Sequence, residues 1–262
     1  MKTIVITGAS SGIGAALARH LGRQEHNLVL AARRAEQLNA VAKEVASHVI
    51  TVVADVTRRD DVQRLRKEAL RAFGEIDVWI NNAGRGINKP ALELTDAEFD
   101  EMMAVNVKSA LYGMQTIAPH FIERRRGHII NVSSFLGRVP MATHRSAYNA
   151  AKAALNALTA NVRVDLASKY SDIQVSLVMP GLVATDFARN ALGSAGATAP
   201  PWVANSPMKP QSAEEVAAAV AELIANPVAE IYTNPASAPM AQRYFEDVGR
   251  FEEAMRPDRA RA

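Results

Sequence analysis

There is no cysteine among these 262 residues, which removes disulfides, thiolate nucleophiles and Cys-ligated zinc. Long apolar runs are missing too. The run that opens the chain after Met1-Lys2 stops at Thr7-Gly8, too short for the apolar region of a secretory leader. No other stretch approaches the ~18 residues of a membrane span. A cytoplasmic location without a membrane partner is therefore expected. Charge of one sign is not in excess either, with 30 Lys+Arg against 27 Asp+Glu and a formal net charge of +3. The tight basic cluster, Arg124-Arg125-Arg126, lacks the broad stripe with interleaved aromatics that nucleic acid requires. It reads as a solvated helix end, where positive charge suits the helix dipole, and no nucleic-acid partner is expected. None of the six histidines sits in a metal-like pair, and no metal is expected.

What is present is an alternation. Short β-branched or apolar runs recur at Thr3–Thr7, Asn27–Ala31, Val49–Val53, Asp77–Asn81, His128–Val132, Ile173–Val178 and Glu230–Thr233. Between them the spacing predicts helices over Ile13–Gln24, Arg34–Ala46, Arg58–Phe73, Asp96–Arg124, Ser146–Tyr170 and Ala213–Ala225. Strands that are apolar throughout are buried on both faces, and strand–helix–strand repetition demands a parallel sheet with right-handed crossovers. The expectation is one α/β domain over residues 1–262, a doubly wound parallel sheet of about seven strands with helices on both faces. Two segments break the rhythm. Residues 186–210 carry four of the twelve prolines and follow a strand's carboxyl end, where such sheets bind ligands. A surface loop and a substrate lid fit this segment equally, and Leu192, Trp202, Val203 and Met208 hint at an apolar ligand. In the tail after Pro235, Met240, Tyr244, Val248 and Phe251 recur at helical spacing, which predicts a docked helical extension over about residues 236–255.

The first strand runs through Thr7-Gly8-Ala9-Ser10-Ser11-Gly12-Ile13-Gly14 straight into a helix. Glycines let backbone approach a ligand closely, and a helix N-terminus presents unpaired N–H groups to an anion. Gly8, Ser10, Ser11, Gly12, Ile13 and Gly14 are thus candidates to cradle a pyrophosphate. At the end of the second strand, Ala32 stands where an NAD site would place a carboxylate for the ribose hydroxyls, and Arg33 and Arg34 follow. Guanidinium groups can grip the 2′-phosphate of NADP, which a carboxylate would repel. NADP(H) is the cofactor expected, with Arg33 as main contact and Arg34 in support.

Together these residues resemble the short-chain dehydrogenase/reductase family. Thr7-Gly8-x-x-x-Gly12-x-Gly14 is similar to its cofactor motif. So are Asn81-Asn82-Ala83-Gly84, Asn106 within Val105-Asn106-Val107, and Ser134 within Val132-Ser133-Ser134. Tyr148-x-x-x-Lys152 and Pro180-Gly181-x-Val183-x-Thr185 complete the set. The motifs come in the family's order and cover the chain to about Thr185. The resemblance implies an oxidoreductase that interconverts an alcohol and a carbonyl compound, with Asn106, Ser134, Tyr148 and Lys152 as catalytic residues. It carries Asp55 and Val56 to the adenine side of the cofactor, and Asn82, Ala83 and Gly84 to the adenosine ribose. Val183 and Thr185 go to the nicotinamide amide, Pro180 and Gly181 are counted with the cofactor-binding residues, and Lys152, beside Tyr148, goes to the nicotinamide ribose. Asn106 would hold a proton-relaying water. Many members end in a strand and an Asp-Gly-Gly turn that build a tetramer. This chain has Glu230-Ile231-Tyr232-Thr233-Asn234-Pro235 there. A homodimer, or a tetramer made without that contact, is expected. It would use the long fourth and fifth predicted helices, along the stripe Leu155, Leu158, Val162 and Leu166.

The chemistry also follows from the residues. Tyr148 and Lys152 are four apart on a predicted helix and share one face. A cation about 4 Å from the phenol at an effective dielectric of 20 is worth ~4 kcal/mol, roughly three pKa units. That would bring tyrosine into the range of a neutral-pH general acid and base, with Lys152 lowering its pKa. Ser134, just past the fifth strand, can orient the substrate oxygen. Two alternatives stay open: a non-catalytic dinucleotide sensor on the same fold, and an epimerase or dehydratase that pairs tyrosine with lysine.

Overall fold

A computed structural model describes residues 1–46, 48–187, 189–193 and 208–255. Most of the lid predicted over 186–210, with Trp202 and Val203, lies outside the described residues. Seven strands form one parallel sheet in the order β3-β2-β1-β4-β5-β6-β7. They are β1 (Thr3–Thr7), β2 (Asn27–Ala32), β3 (Val49–Val53), β4 (Val78–Asn81), β5 (Gly127–Val132), β6 (Ile173–Met179) and β7 (Glu230–Tyr232). The centre is dry: every residue of β1 and β4 is buried. Side chains alternate across each strand, so Ile4 and Ile6 join one core while Val5 joins the other.

The first core is closed by α1 (Gly12–Gly22), α2 (Ala35–Lys43) and α7 (Ala213–Ala225), through Leu17, Leu38 and Val220 among others. The opposite core is closed by α3 (Arg59–Phe73), α5 (Ser109–Arg124) and α6 (Ser146–Ala167), through Leu65, Phe121 and Leu166. Each such side chain, fully buried, contributes ~1.5–3 kcal/mol. The expected doubly wound fold is what forms. Its strand order reverses between β1 and β4, and that crevice is where open α/β sheets take ligands.

Three local expectations are corrected. The helix predicted over Asp96–Arg124 is α4 (Asp96–Met103), a π turn (Ala104–Lys108) and α5. The cause sits at Asn106, whose side-chain amide donates to the Met102 carbonyl at 3.0 Å. That oxygen is the i−4 acceptor of a regular α-helix, and the side chain competes for it. The tail forms two helices, α8 (Ser237–Glu246) and α9 (Val248–Ala254), because Asp247 takes an extended conformation and caps the second. Met240, Tyr244 and Phe251 dock with Phe135 and Met208, but Val248 is exposed. Along α6, Leu155 and Leu166 are buried and Val162 packs against the second core, so most of the stripe assigned to assembly belongs to the chain's own core. No helix among the described residues is long and apolar enough to cross a membrane.

Candidate active site

The turn after β1 and the turn after β4 meet at the crevice. Gly8 adopts φ +68°, and a Cβ there would lie 2.8 Å from the Ala83 Cα. A Cβ on Gly14 would lie 2.3 Å from the Gly8 carbonyl oxygen. Neither position has room for a side chain. Thr7 locks the contact, its hydroxyl accepting from the backbone N–H groups of Asn82 at 3.0 Å and Ala83 at 3.1 Å. The Asn82 side chain donates to the Thr7 carbonyl at 2.9 Å. The asparagine expected at the adenosine ribose therefore spends its amide on the glycine turn.

α1 begins at Gly12, itself at φ +55°, with Ser11 as N-cap and no acid in its first turn. Unpaired N–H groups and an unopposed helix dipole leave this end ready for an anion. The Arg34 guanidinium reaches into the same place, 3.0 Å from the Ser10 hydroxyl and 2.8 Å from that of Ser11. Arg33 is exposed, with no hydrogen bond or ion pair among the described residues. A glycine cradle, an open helix end and two cations with no acid between them fit the phosphates of a dinucleotide.

The other predicted cofactor residues ring this crevice. Thr185 lies over Gly12, its Cγ2 3.5 Å from where a Cβ would stand. Ile13 and Val183 lean on one core cluster, and Val183 bridges to Gln211. The Pro180 carbonyl accepts from the Phe135 N–H at 2.8 Å, tying the ends of β5 and β6, and Gly181 makes room for Met208. Val56 is buried in the second core. Asp55 is half-buried, and one of its carboxylate oxygens already accepts from the Thr57 N–H and hydroxyl.

Ser134, Tyr148 and Lys152 come together at the carboxyl end of β5. Ser134 stands near enough to the Tyr148 phenol to favour its ionised form, its own hydroxyl accepting from the Leu136 N–H at 3.1 Å, and the Lys152 Nζ sits 5.7 Å from the Tyr148 ring centroid. That nitrogen donates to the Val132 carbonyl at 2.9 Å. Ser133 points elsewhere, into hydrogen bonds with Asn156 at 2.6 Å and the Lys152 carbonyl at 3.3 Å. The adjacent serines thus divide their work: one braces α6 and the other faces the crevice. Asn106 is reached through Gly84, where a Cβ would lie 2.9 Å from the Asn106 Oδ1 and 3.6 Å from the Lys152 Nζ. Its own amide is held by the Arg85 backbone, at 2.9 Å to the carbonyl and 3.2 Å from the N–H.

Behind the site runs a polar chain the sequence reading missed. Trp79 donates to Asn81 at 2.8 Å, Asn81 to Asn131 at 2.8 Å, and Asn131 to Thr159 at 2.9 Å. It links β4, β5 and α6 inside the core, and Gly113 of α5 leaves the space for Asn81. The signal was there: an asparagine in each of two otherwise apolar strands is a buried polar group that must find partners.

Burial governs the protonation of this cluster. It pushes the Tyr148 phenol above its ordinary 10, against the opposing pull of the nearby Ser134 hydroxyl and the Arg145 charge. It also pushes Lys152 down to about 7. The expectation that Lys152 lowers the phenol is therefore not what this arrangement gives. A lysine can depress its neighbour only as an ammonium, and desolvation disfavours that form.

A family model described as short chain dehydrogenase matches residues 2–194. The chain belongs to that family. Among its relatives, this short-chain dehydrogenase is 35% identical over 184 residues to an uncharacterized oxidoreductase of Staphylococcus epidermidis, covering 70% of this chain and 79% of the other. A short chain dehydrogenase/reductase of Burkholderia phymatum, solved with NAD, superposes at TM-score 0.84 and 29% identity, over 95% of this chain and 94% of its own. An alcohol dehydrogenase of the archaeon Thermococcus sibiricus, solved with 5-hydroxy-NADP, gives TM-score 0.76 and 28% identity, over 89% and 96%. This short-chain dehydrogenase is accordingly an oxidoreductase of a family that uses a nicotinamide cofactor and small-molecule substrates.

The lysine shift sets a stability profile. Between about pH 7 and 10.5 the unfolded chain holds a proton on Lys152 that the folded chain does not, so this group makes stability rise with pH across that window. Lys152→Met removes the buried ammonium. Its stability relative to wild type should be highest below pH 7 and should decline as pH rises, measured by denaturant unfolding between about pH 6 and 9. A difference that stays constant over that range would contradict the assignment.

Proposed function

We propose that this protein interconverts a secondary alcohol and a ketone, or an alcohol and an aldehyde, by hydride transfer with NADP(H). The observation that carries the reading is the gathering of Ser134, Tyr148 and Lys152 at the carboxyl end of β5, with the Lys152 Nζ 5.7 Å from the Tyr148 ring centroid, next to the glycine cradle. When bound, NADP(H) supplies the hydride in reduction and accepts it in oxidation. In reduction Tyr148 would give its phenolic proton to the substrate oxygen as the carbonyl becomes an alcohol. Oxidation runs the same steps backwards. A phenol kept neutral by burial holds the proton that reduction needs. Ser134 donates to the substrate oxygen and fixes it in line, an orienting and electrostatic role. Lys152 is assigned to the nicotinamide ribose. Asn106 is assigned to a proton-relaying water.

Solved relatives carry both NAD and NADP, so the preference for NADP rests on the end of β2. Ala32 offers no carboxylate, Arg33 is unpaired, and Arg34 already stands on the cradle serines. The same reading includes a homodimer or tetramer formed through the exposed faces of α5 and α6, where Val164 is 69% exposed. A monomer by light scattering at micromolar concentration would exclude such an assembly.

Tyr148→Phe should retain cofactor binding and lose at least ~10²-fold in turnover, the reach of a missing general acid. More than half of wild-type turnover under conditions where hydride transfer limits the rate would sink the assignment. For the cofactor, a charge-assisted bond is worth about 1.5–3 kcal/mol. Arg33→Ala should therefore weaken NADPH by roughly 10- to 100-fold while leaving NADH nearly as it was. Fluorescence titration with both reduced cofactors checks this, and equal wild-type affinities would refute it.

A further inference from the structure

One cation at the mouth of the site has no anionic partner among the described residues. Around it the charges are matched: Lys89 pairs with Glu98, Arg85 with Glu101, and Arg189 with Asp186. Arg145 makes no ion pair or side-chain hydrogen bond among the described residues, and its Nη1 is buried without any acceptor. It stands at the N-cap of α6, three residues before Tyr148, in a first turn that holds no acid. Phe187 lies between the two, its ring centroid 5.4 Å from that of Tyr148 and 5.9 Å from the Arg145 guanidinium carbon.

The seat is built for the guanidinium. Gly86 leaves it room, since a Cβ there would lie 2.6 Å from the Arg145 Nη1 and 2.9 Å from the Phe187 ring. Burial lowers the Arg145 pKa, with Tyr148 opposing, yet arginine keeps its charge in proteins. A desolvated, unpaired cation is destabilising, and a group of this kind beside reacting atoms marks a place where a ligand supplies the counter-charge.

We propose that Arg145 anchors a carboxylate of the substrate. The substrate would then be an oxo acid in reduction and the matching hydroxy acid in oxidation. The inference rests on the oxidoreductase reading above and names its substrate class. The planar fork of a guanidinium matches a carboxylate's two oxygens. Arg145 and Tyr148 stand three residues apart at one end of α6, both against the Phe187 ring, so a short acid that places its carbonyl at Tyr148 is the simplest ligand for the pair. The remaining wall is apolar, made by Ile87, Leu136, Phe187 and Leu192 around Tyr148, which suits the acid's hydrocarbon part.

The test compares acetoacetate and levulinate, each against its methyl ester, in wild type, Arg145→Met and Arg145→Lys with NADPH. Wild type should favour the acids. In Arg145→Met the acid-to-ester ratio of kcat/KM should fall by roughly 10- to 100-fold, chiefly through KM, the scale of one lost charge-assisted pair. Arg145→Lys should restore part of it. Arg145→Met should also melt no lower than wild type, because it removes an unpaired buried charge. Wild type that prefers both esters, or a variant that loses acid and ester in equal proportion, overturns the proposal. If neither acids nor esters turn over, titration calorimetry with levulinate decides. Binding to wild type but not to Arg145→Met would keep the anion site and overturn the oxo-acid substrate. No binding to wild type would remove the site as well.

Discussion

The crevice exists because two backbones come closer than side chains allow. Gly8 packs on the Ala83 Cα, and Gly14 packs on the Gly8 carbonyl. The Thr7 hydroxyl and the Asn82 amide hold the two turns in that contact. This approach fixes where α1 begins relative to the ends of β1 and β4, and so where its N-terminal N–H groups point. It also sets the distance from the cradle to Gly84, across which Asn106 and Lys152 face each other. A side chain at either glycine would push the first β-α unit off the rest of the sheet. The site would then be lost as a whole rather than weakened at one contact.

The second half of the sheet supplies reactivity at the expense of stability. Lys152 and Tyr148 are nearly dry, at 3% and 7% exposure, and both are held away from their charged forms. Arg145 adds a cation without a counter-ion among the described residues. Such groups strain a fold unless their surroundings are rigid. Here rigidity comes from the chain Trp79–Asn81–Asn131–Thr159 and from the Ser133–Asn156 bond. These pin α6 to β4 and β5 with satisfied hydrogen bonds inside the core. The polar residues behind the site therefore keep the ionisable ones in front of it in place.

Much of this was legible in the sequence. Apolar strands without polar alternation announced a sheet covered on both faces, and the glycine run placed the cradle. The i,i+4 spacing put Tyr148 and Lys152 on one face. What escaped notice depends on neighbours distant in sequence. Arg145 is an ordinary arginine before a helix until Gly86 and Phe187 are brought against it. The sequence ranked Arg33 above Arg34 as the phosphate contact, yet the turn directs Arg34 at Ser10 and Ser11 and leaves Arg33 exposed. The sign of the Tyr148 shift could not be read from spacing either, because it depends on how much water burial removes from both partners.

The π turn at Ala104–Lys108 shows why periodicity misled on that one helix. Phe99, Asn106, Gly113 and His120 are spaced by sevens, which a continuous α-helix would carry on a single stripe. Asn106, Gly113 and His120 are indeed buried. Phe99 is 41% exposed. The wider turn holds one residue more than an α turn, and it offsets the angular phase of α4 against α5 by ~100°. The segment thereby acts as a phase adjuster: α5 follows the sheet while α4 follows the crevice. Along a chain that otherwise tolerates length changes in its loops, this is a place where the residue count itself carries information. Losing a single residue there would close the turn into regular helix and swing Met102 and its neighbours around the axis.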